Sequence, residues 1–214
     1  MIRHDRREQT LAVCLSALAG YVDAIAFIQL GGFFVSFMSG NSTRLGVGLA
    51  DNGAAAALAG ALIAAFVAGV ATGSVLGHFA GRRRRTTVLI LIAVLLAFAA
   101  GLALAGAPMA AALVAAIAMG AENAVFEREG EVRIGLTYMT GSLVRLGQGL
   151  AGAVLGRERN GWLSYLILWA GFLAGALAGA AAFPHFGFGA IWAGAAGAFA
   201  LAPLAARTER MERM

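Results

Sequence analysis

Arg44 and Arg145 each lie in a long apolar stretch, four residues after the glycine of a Ser-Gly or Thr-Gly pair. Ionisable side chains at such positions are costly and default to a functional reading. The chemistry on offer is recognition of an anion or a strong dipole. Ser39-Gly40-Asn41-Ser42 and Thr140-Gly141-Ser142 have the residue types that begin helices, and the unpaired N–H groups of a helix start attract negative charge. Each arginine adds a full charge to that. Two carboxylates complete the group: Asp23, and Glu122 beside Asn123. Functionally, either carboxylate could carry a coupling proton. The plainer readings are that each pairs with an arginine and pins the fold, and that Glu122, five residues before the charged link that starts at Glu127, is a solvated interfacial residue. The candidate solute-binding residues are therefore Asp23, Ser39, Gly40, Asn41, Ser42, Arg44, Glu122, Asn123, Thr140, Gly141, Ser142 and Arg145.

These residues belong to a duplication. Residues 37–50 (FMSGNSTRLGVGLA) and 138–151 (YMTGSLVRLGQGLA) are identical at eight of 14 positions. Gly69, Gly73 and Gly77 recur as Gly171, Gly175 and Gly179, and Gly20, Asp23 and Ala24 recur as Gly120, Asn123 and Ala124. Three blocks in the same order are the signature of an internal repeat. We place the first repeat at about 11–106 and the second at about 107–206, within one membrane domain covering 1–214.

Composition says what surrounds them. Of 214 residues, 60% are hydrophobic and 13% charged, and the mean hydropathy is +0.81. Soluble domains run nearer half apolar and a quarter charged, so the chain reads as an integral membrane protein. The net charge of +5 does not argue for nucleic acid, because the arginines cluster between apolar runs as topology signals do. A single cysteine, Cys14, excludes an intramolecular disulfide. No metal, phosphate-loop, dinucleotide or nucleophile motif is present, so neither a cofactor nor enzymatic activity is expected.

The elements that must position the candidates follow in order. Apolar spans are expected at 11–30, 54–80, 86–106, 109–126, 161–183 and 186–206, with the last two joined by Pro184-His185. The first is read as a retained helix, because the apolar run before its Ala17-Leu18-Ala19 is too short for a signal core. Extended segments at 33–38 and 134–140 lead into short helices at 42–50 and 141–155. If both short elements dip in and return, 14 arginines face one side and none the other, which the positive-inside rule favours over two full crossings. Each half then has three spans, an odd number, so the halves are inverted. The expected fold is all-α, with about six transmembrane helices, two re-entrant half-helices and two inverted-topology repeats. The glycine ladders are small-xxx-small faces for close helix packing, within the chain or between copies in a homo-oligomer.

The strings GYVDAIAFIQLGGFFVSFMSGNSTRLG (20–46) and ENAVFEREGEVRIGLTYMTGSLVRLG (122–147) resemble the YoaK family of bacterial membrane proteins, and the resemblance spans nearly the whole chain. It implies a small multi-spanning membrane protein and brings no activity with it. It also marks a departure: relatives often carry Gln-Asn-Ala where this chain has Glu122-Asn123-Ala124.

Inverted repeats with broken helices are a transporter plan whose solute site lies near the midplane. The expectation is a transporter or channel of the bacterial inner membrane, with both termini cytoplasmic. It would pass a small solute, an anion for choice, between two half-helix N-termini. The alternative is a non-transporting membrane scaffold, with an intramembrane enzyme behind both. Expected partners are the lipid bilayer and the solute; nucleic acid is not among them.

Overall fold

The computed structural model describes residues 6–51, 53–128, 131–132, 136–156 and 161–211. The chain is built from helices α1 (Arg6–Gln29), α2 (Met38–Ala50), α3 (Ala54–Ala80), α4 (Arg84–Leu104), α5 (Pro108–Glu122), α6 (Met139–Val154), α7 (Gly161–Phe186) and α8 (Ile191–Met211). Three short 3-10 segments join them: Gly81–Arg83, Asn123–Phe126 and Gly187–Ala190. The only sheet among the described residues is a two-stranded pairing of β1 (Glu127–Arg128) with β2 (Glu131–Val132). Among the described residues, four helical runs are long and apolar enough to cross a bilayer: Arg7–Gln29, Ala54–Leu104, Pro108–Phe126 and Trp162–Arg210. The second and fourth, 51 and 49 residues long, exceed one crossing of about 20 residues and contain the α3–α4 and α7–α8 hairpins. Large apolar side chains such as Phe79, Phe98, Leu177 and Phe199 point outward, where a hydrocarbon surround removes them from water. The protein is an all-α membrane protein.

Helix directions follow from the contacts. The ladder Gly171, Gly175, Gly179 on α7 meets Val13, Ala17 and Tyr21 on α1 in that order, so these helices run parallel. Gly69 and Gly73 on α3 meet Ile117 and Ala121 on α5, again in parallel. Gly20 packs on Phe172 and Ala176 of α7, and Gly120 packs on Phe66 and Val70 of α3. An added Cβ at most of these glycines would strike backbone, which is why no larger residue fits. Each half thus lends its glycine helix to the first helix of the other half. The homo-oligomer expected through these glycine faces is corrected on this point: the faces are consumed inside one chain.

The ends of the bundle are also defined. Glu8 at the start of α1 pairs with Arg85 at the start of α4. Arg84 pairs with Glu127 and reaches the Ser74 carbonyl near the end of α3. Glu209 near the end of α8 accepts hydrogen bonds from the Thr86 N–H and hydroxyl at 3.0 and 2.8 Å, capping α4. α1, α4 and α7 therefore rise from this end, and α3, α5 and α8 return to it. At the far end, the Tyr21 hydroxyl donates to the Ala190 carbonyl at 2.9 Å. The core between these ends holds Leu15, Ile25, Leu89, Ile92, Leu96, Met119 and Ile191, all fully buried.

Three boundary expectations are corrected. α7 runs through Pro184 and His185 to Phe186. Proline there lies in the last turn, and the chain breaks instead at Gly187, whose φ of +55° suits glycine. The short helices begin at Met38 and Met139, four and two residues before the expected starts, with Phe37 and Tyr138 at their N-caps and no side-chain cap. Ser39 to Ser42 lie inside the first turn, where Ser42 and Thr43 hydroxyls donate back to the Met38 and Ser39 carbonyls. Residues 33–37 are irregular rather than strand. Residues 134–135 of the second extended segment and the polar link 157–160 lie outside the described residues.

Candidate functional site

α2 does not cross the bundle. It packs antiparallel to the start of α3, with Gly48 against Ala56 and Leu45 against Gly60. α1 ends and α3 begins at the same end of the molecule, so residues 30–37 fold back along α1 before α2 returns. Thirteen residues rise about 20 Å, placing the α2 N-terminus roughly halfway down α3. α6 is the counterpart on α7, with Gly149 against Trp162.

Irregular backbone at this depth must find hydrogen bonds inside the protein. In the first half two side chains supply them. One Asp23 carboxylate oxygen accepts from the Val35 and Ser36 N–H groups, both at 2.8 Å. Asn41 accepts from the Phe34 N–H at 3.0 Å and donates to the Phe34 carbonyl at 2.6 Å. The expected pairing of Asp23 with an arginine is corrected: Asp23 is an anchor for backbone amides. Its neighbour Ser36 is 3% exposed.

The second half repeats the position and changes the chemistry. Asn123 donates to the Met119 and Gly120 carbonyls and accepts from the Thr137 hydroxyl at 3.1 Å. Ser142, the counterpart of Asn41, is buried. Glu122 occupies the place of Val22 and is 0% exposed, and neither carboxylate oxygen has a hydrogen-bond partner. It is therefore neither solvated nor paired with an arginine.

The arginines lie away from these anchors. Arg44 is half-buried, with its guanidinium 4.7 Å from the Phe33 ring centre and against Gly32. It borders a cavity of about 250 Å³ lined by Thr43, Val47, Gly48, Asp51, Gly53 and Ala55. Arg145 is exposed, bonded to the Tyr165 hydroxyl at 3.2 Å and over its ring at 5.7 Å. Ser39, Ser42, Thr140 and Gly141 are exposed, and Gly40 packs against the Phe34 and Phe37 rings.

What the fold brings to one side of α1 is the loop before α2 and the start of α6. The Ser16 hydroxyl on α1 donates to the Leu168 carbonyl at 3.0 Å and lies 4.0 Å from the Met139 sulfur. Ser16 and Asp23 are seven residues apart, hence on one face of α1 and about 10 Å apart along it. The loop before α2 and the first residue of α6 therefore meet the same strip of α1. Ser16, Ser36 and Thr137 were missed in the sequence. Ser36 and Thr137 are hydroxyl residues at matching places just before the repeated motif, so extending its alignment by one residue would have found both.

The match to known proteins agrees with this architecture. The family model described as Protein of unknown function (DUF1275) matches residues 11–204. The UPF0700 transmembrane protein RA0705 of Rhizobium meliloti (strain 1021) is 37% identical over 182 residues, which cover 85% of this chain and 79% of that protein. No solved structure matches. An uncharacterised family of multi-spanning membrane proteins was the expectation from the motif strings, and with nearly its whole length matched, the chain belongs to the DUF1275 family.

Proposed function

We propose that this protein is a carrier or channel for a small polar solute in the bacterial cytoplasmic membrane, with both termini on the cytoplasmic side. The carrying observation is that the loop before α2, at Asp23, and the start of α6, at Ser16, reach one face of α1. Broken helices whose ends meet inside a bundle are how transporters build a midplane site. Inverted symmetry supports the reading. Exchanging the halves swaps α1 with α5, α3 with α7 and α4 with α8, and each exchange reverses direction. The Arg82–Arg85 cluster at the end shared by the α1 start and the α8 finish supports the orientation. The reading keeps the half-helix starts but drops the arginine pair as the recognising charge, since Arg44 and Arg145 sit on aromatic rings away from the meeting point.

Uptake of a labelled solute panel into proteoliposomes tests this. Saturable uptake that falls in Ser36→Val and Ser16→Val supports it; no flux of any panel member, with folded protein in the bilayer, refutes it. One observation favours a non-transporting scaffold instead: Asp23, Asn41 and Asn123 spend their hydrogen bonds within the chain.

A further inference from the structure

Every residue from Ala118 to Phe126 is buried, and Glu122 sits in the middle of that run. It is the one carboxylate of the described residues whose two oxygens are both buried and unpartnered. A bare charge in such a place is costly. The charged and titratable groups on the surrounding elements do not offset it. Asp23 on α1 holds the Val35 and Ser36 amides. Tyr21 on α1 bonds the Ala190 carbonyl, and Cys14 on α1 is a half-buried thiol. Arg84 on α4 is bound to Glu127, Arg85 on α4 to Glu8 and Thr208, and His78 on α3 is exposed against Phe79.

We propose that Glu122 is a proton-binding site, and that the proton is the coupling ion of the carrier. This rests on the carrier reading above. The ligand class follows from the surroundings. Hard metal cations such as calcium take about six or more oxygen ligands, and among the described residues no group of three or more His, Cys, Asp or Glu could hold one. A proton needs only the carboxyl itself.

The way out is also defined. About five residues, on the order of 8 Å of helix, separate Glu122 from Glu127, which is locked by Arg84 and the Ser74 hydroxyl. Arg85 lies beside that lock, stacked over Phe126. When this network parts, water reaches the carboxyl. The O–H bond of Glu122 breaks, the proton joins a water oxygen, and the negative charge stays on the carboxylate. The charge cannot remain buried, so deprotonation favours the open arrangement and reprotonation the closed one.

The test uses the full chain in liposomes. Infrared spectra of wild type minus Glu122→Gln should contain a protonated-carboxyl band at neutral pH. In liposomes loaded with a fluorescent pH indicator, an imposed pH gradient should drive solute accumulation by wild type. Glu122→Gln should lose that drive. Glu122→Val, which copies Val22, supplies the same comparison if Gln does not fold. Absence of the carboxyl band overturns the proposal, as does gradient-driven accumulation that survives in both variants. A band with no solute movement by wild type refutes the carrier reading and the coupling role, and leaves the proton site standing.

Discussion

Asp23 and Asn123 hold equivalent positions on α1 and α5, and each steadies the chain just before a short helix, but with different chemistry. Asp23 takes two backbone N–H groups on one carboxylate oxygen. Asn123 spends its amide N–H on its own helix and takes one side-chain hydroxyl. Beyond them, Asn41 clamps both backbone groups of Phe34, whereas Ser142 has a shorter reach. The first arch is thus tied at backbone level by a charge and an amide; the second is tied more lightly. A duplicated backbone can keep its shape while its fastenings diverge, because what the fold requires is a satisfied amide rather than a particular donor or acceptor. The lighter fastening stands next to the unpartnered Glu122.

The largest effect should come from topology, where labelling is all or none. In a Cys14→Ser background, single cysteines at Ala107 and His185 should react with an impermeant maleimide added outside intact cells. Cysteines at Arg82 and Arg207 should react only after permeabilisation. Outside labelling at Arg82 would end the inverted comparison.

Next in size are the glycines that cross between halves. Gly175→Leu and Gly73→Leu each drive a side chain into the facing backbone, of Ala17 and Ala121 respectively. Overpacking costs about 1–3 kcal/mol when neighbours can yield, and backbone yields less than side chains. Both variants should lose the monodisperse peak in detergent chromatography. Gly197→Leu, which meets open space, should keep it. Loss in one crossing variant alone would show that the two packings are not equivalent.

Third are the fastenings. Asp23→Ala strands the Val35 and Ser36 N–H groups at roughly 1–3 kcal/mol each. Asn123→Ala frees one hydroxyl and should cost only about 0.5–1.5 kcal/mol. Melting in detergent should rank them in that order; equal losses would erase the distinction between tight and loose arches.

These fastenings show where the sequence was readable. The spans were legible because apolar length is a strong signal, and α3 was expected at its observed bounds, 54–80. The glycine ladders were legible as close-packing faces, but not their partners: a small-residue face sets how near a neighbour comes, not which neighbour. Asp23 was legible as costly and misread as half of an ion pair, because charge counting matches carboxylates to arginines and overlooks backbone amides at a helix break. The short-helix starts were misplaced for a related reason. Ser39 and Asn41 look like caps, yet Asn41 serves the preceding loop from inside the first turn. Glu122 was legible as a candidate, but nothing in its neighbours forecast complete burial without a partner.

The smallest structural effect should come from the arginines that first drew attention, and it sharpens the comparison most. Arg44 lies on Phe33 and against Gly32, half-buried, while Arg145 leans on Tyr165 at the surface. A cation over a ring contributes about 0.5–1 kcal/mol when exposed. Arg44→Gln should therefore lower the melting temperature slightly and Arg145→Gln scarcely at all, since glutamine keeps most of the stem. Flux then separates structure from function. If the two short helices serve one path, both variants should slow uptake of the same solute despite unequal stability, because each arginine sits six residues into the helix that begins at the shared strip of α1. A silent Arg145→Gln beside a slowed Arg44→Gln would leave the path to the first arch alone. Uptake unchanged in both would remove the arginines from the mechanism and leave Ser16, Ser36 and Glu122 as the groups to pursue.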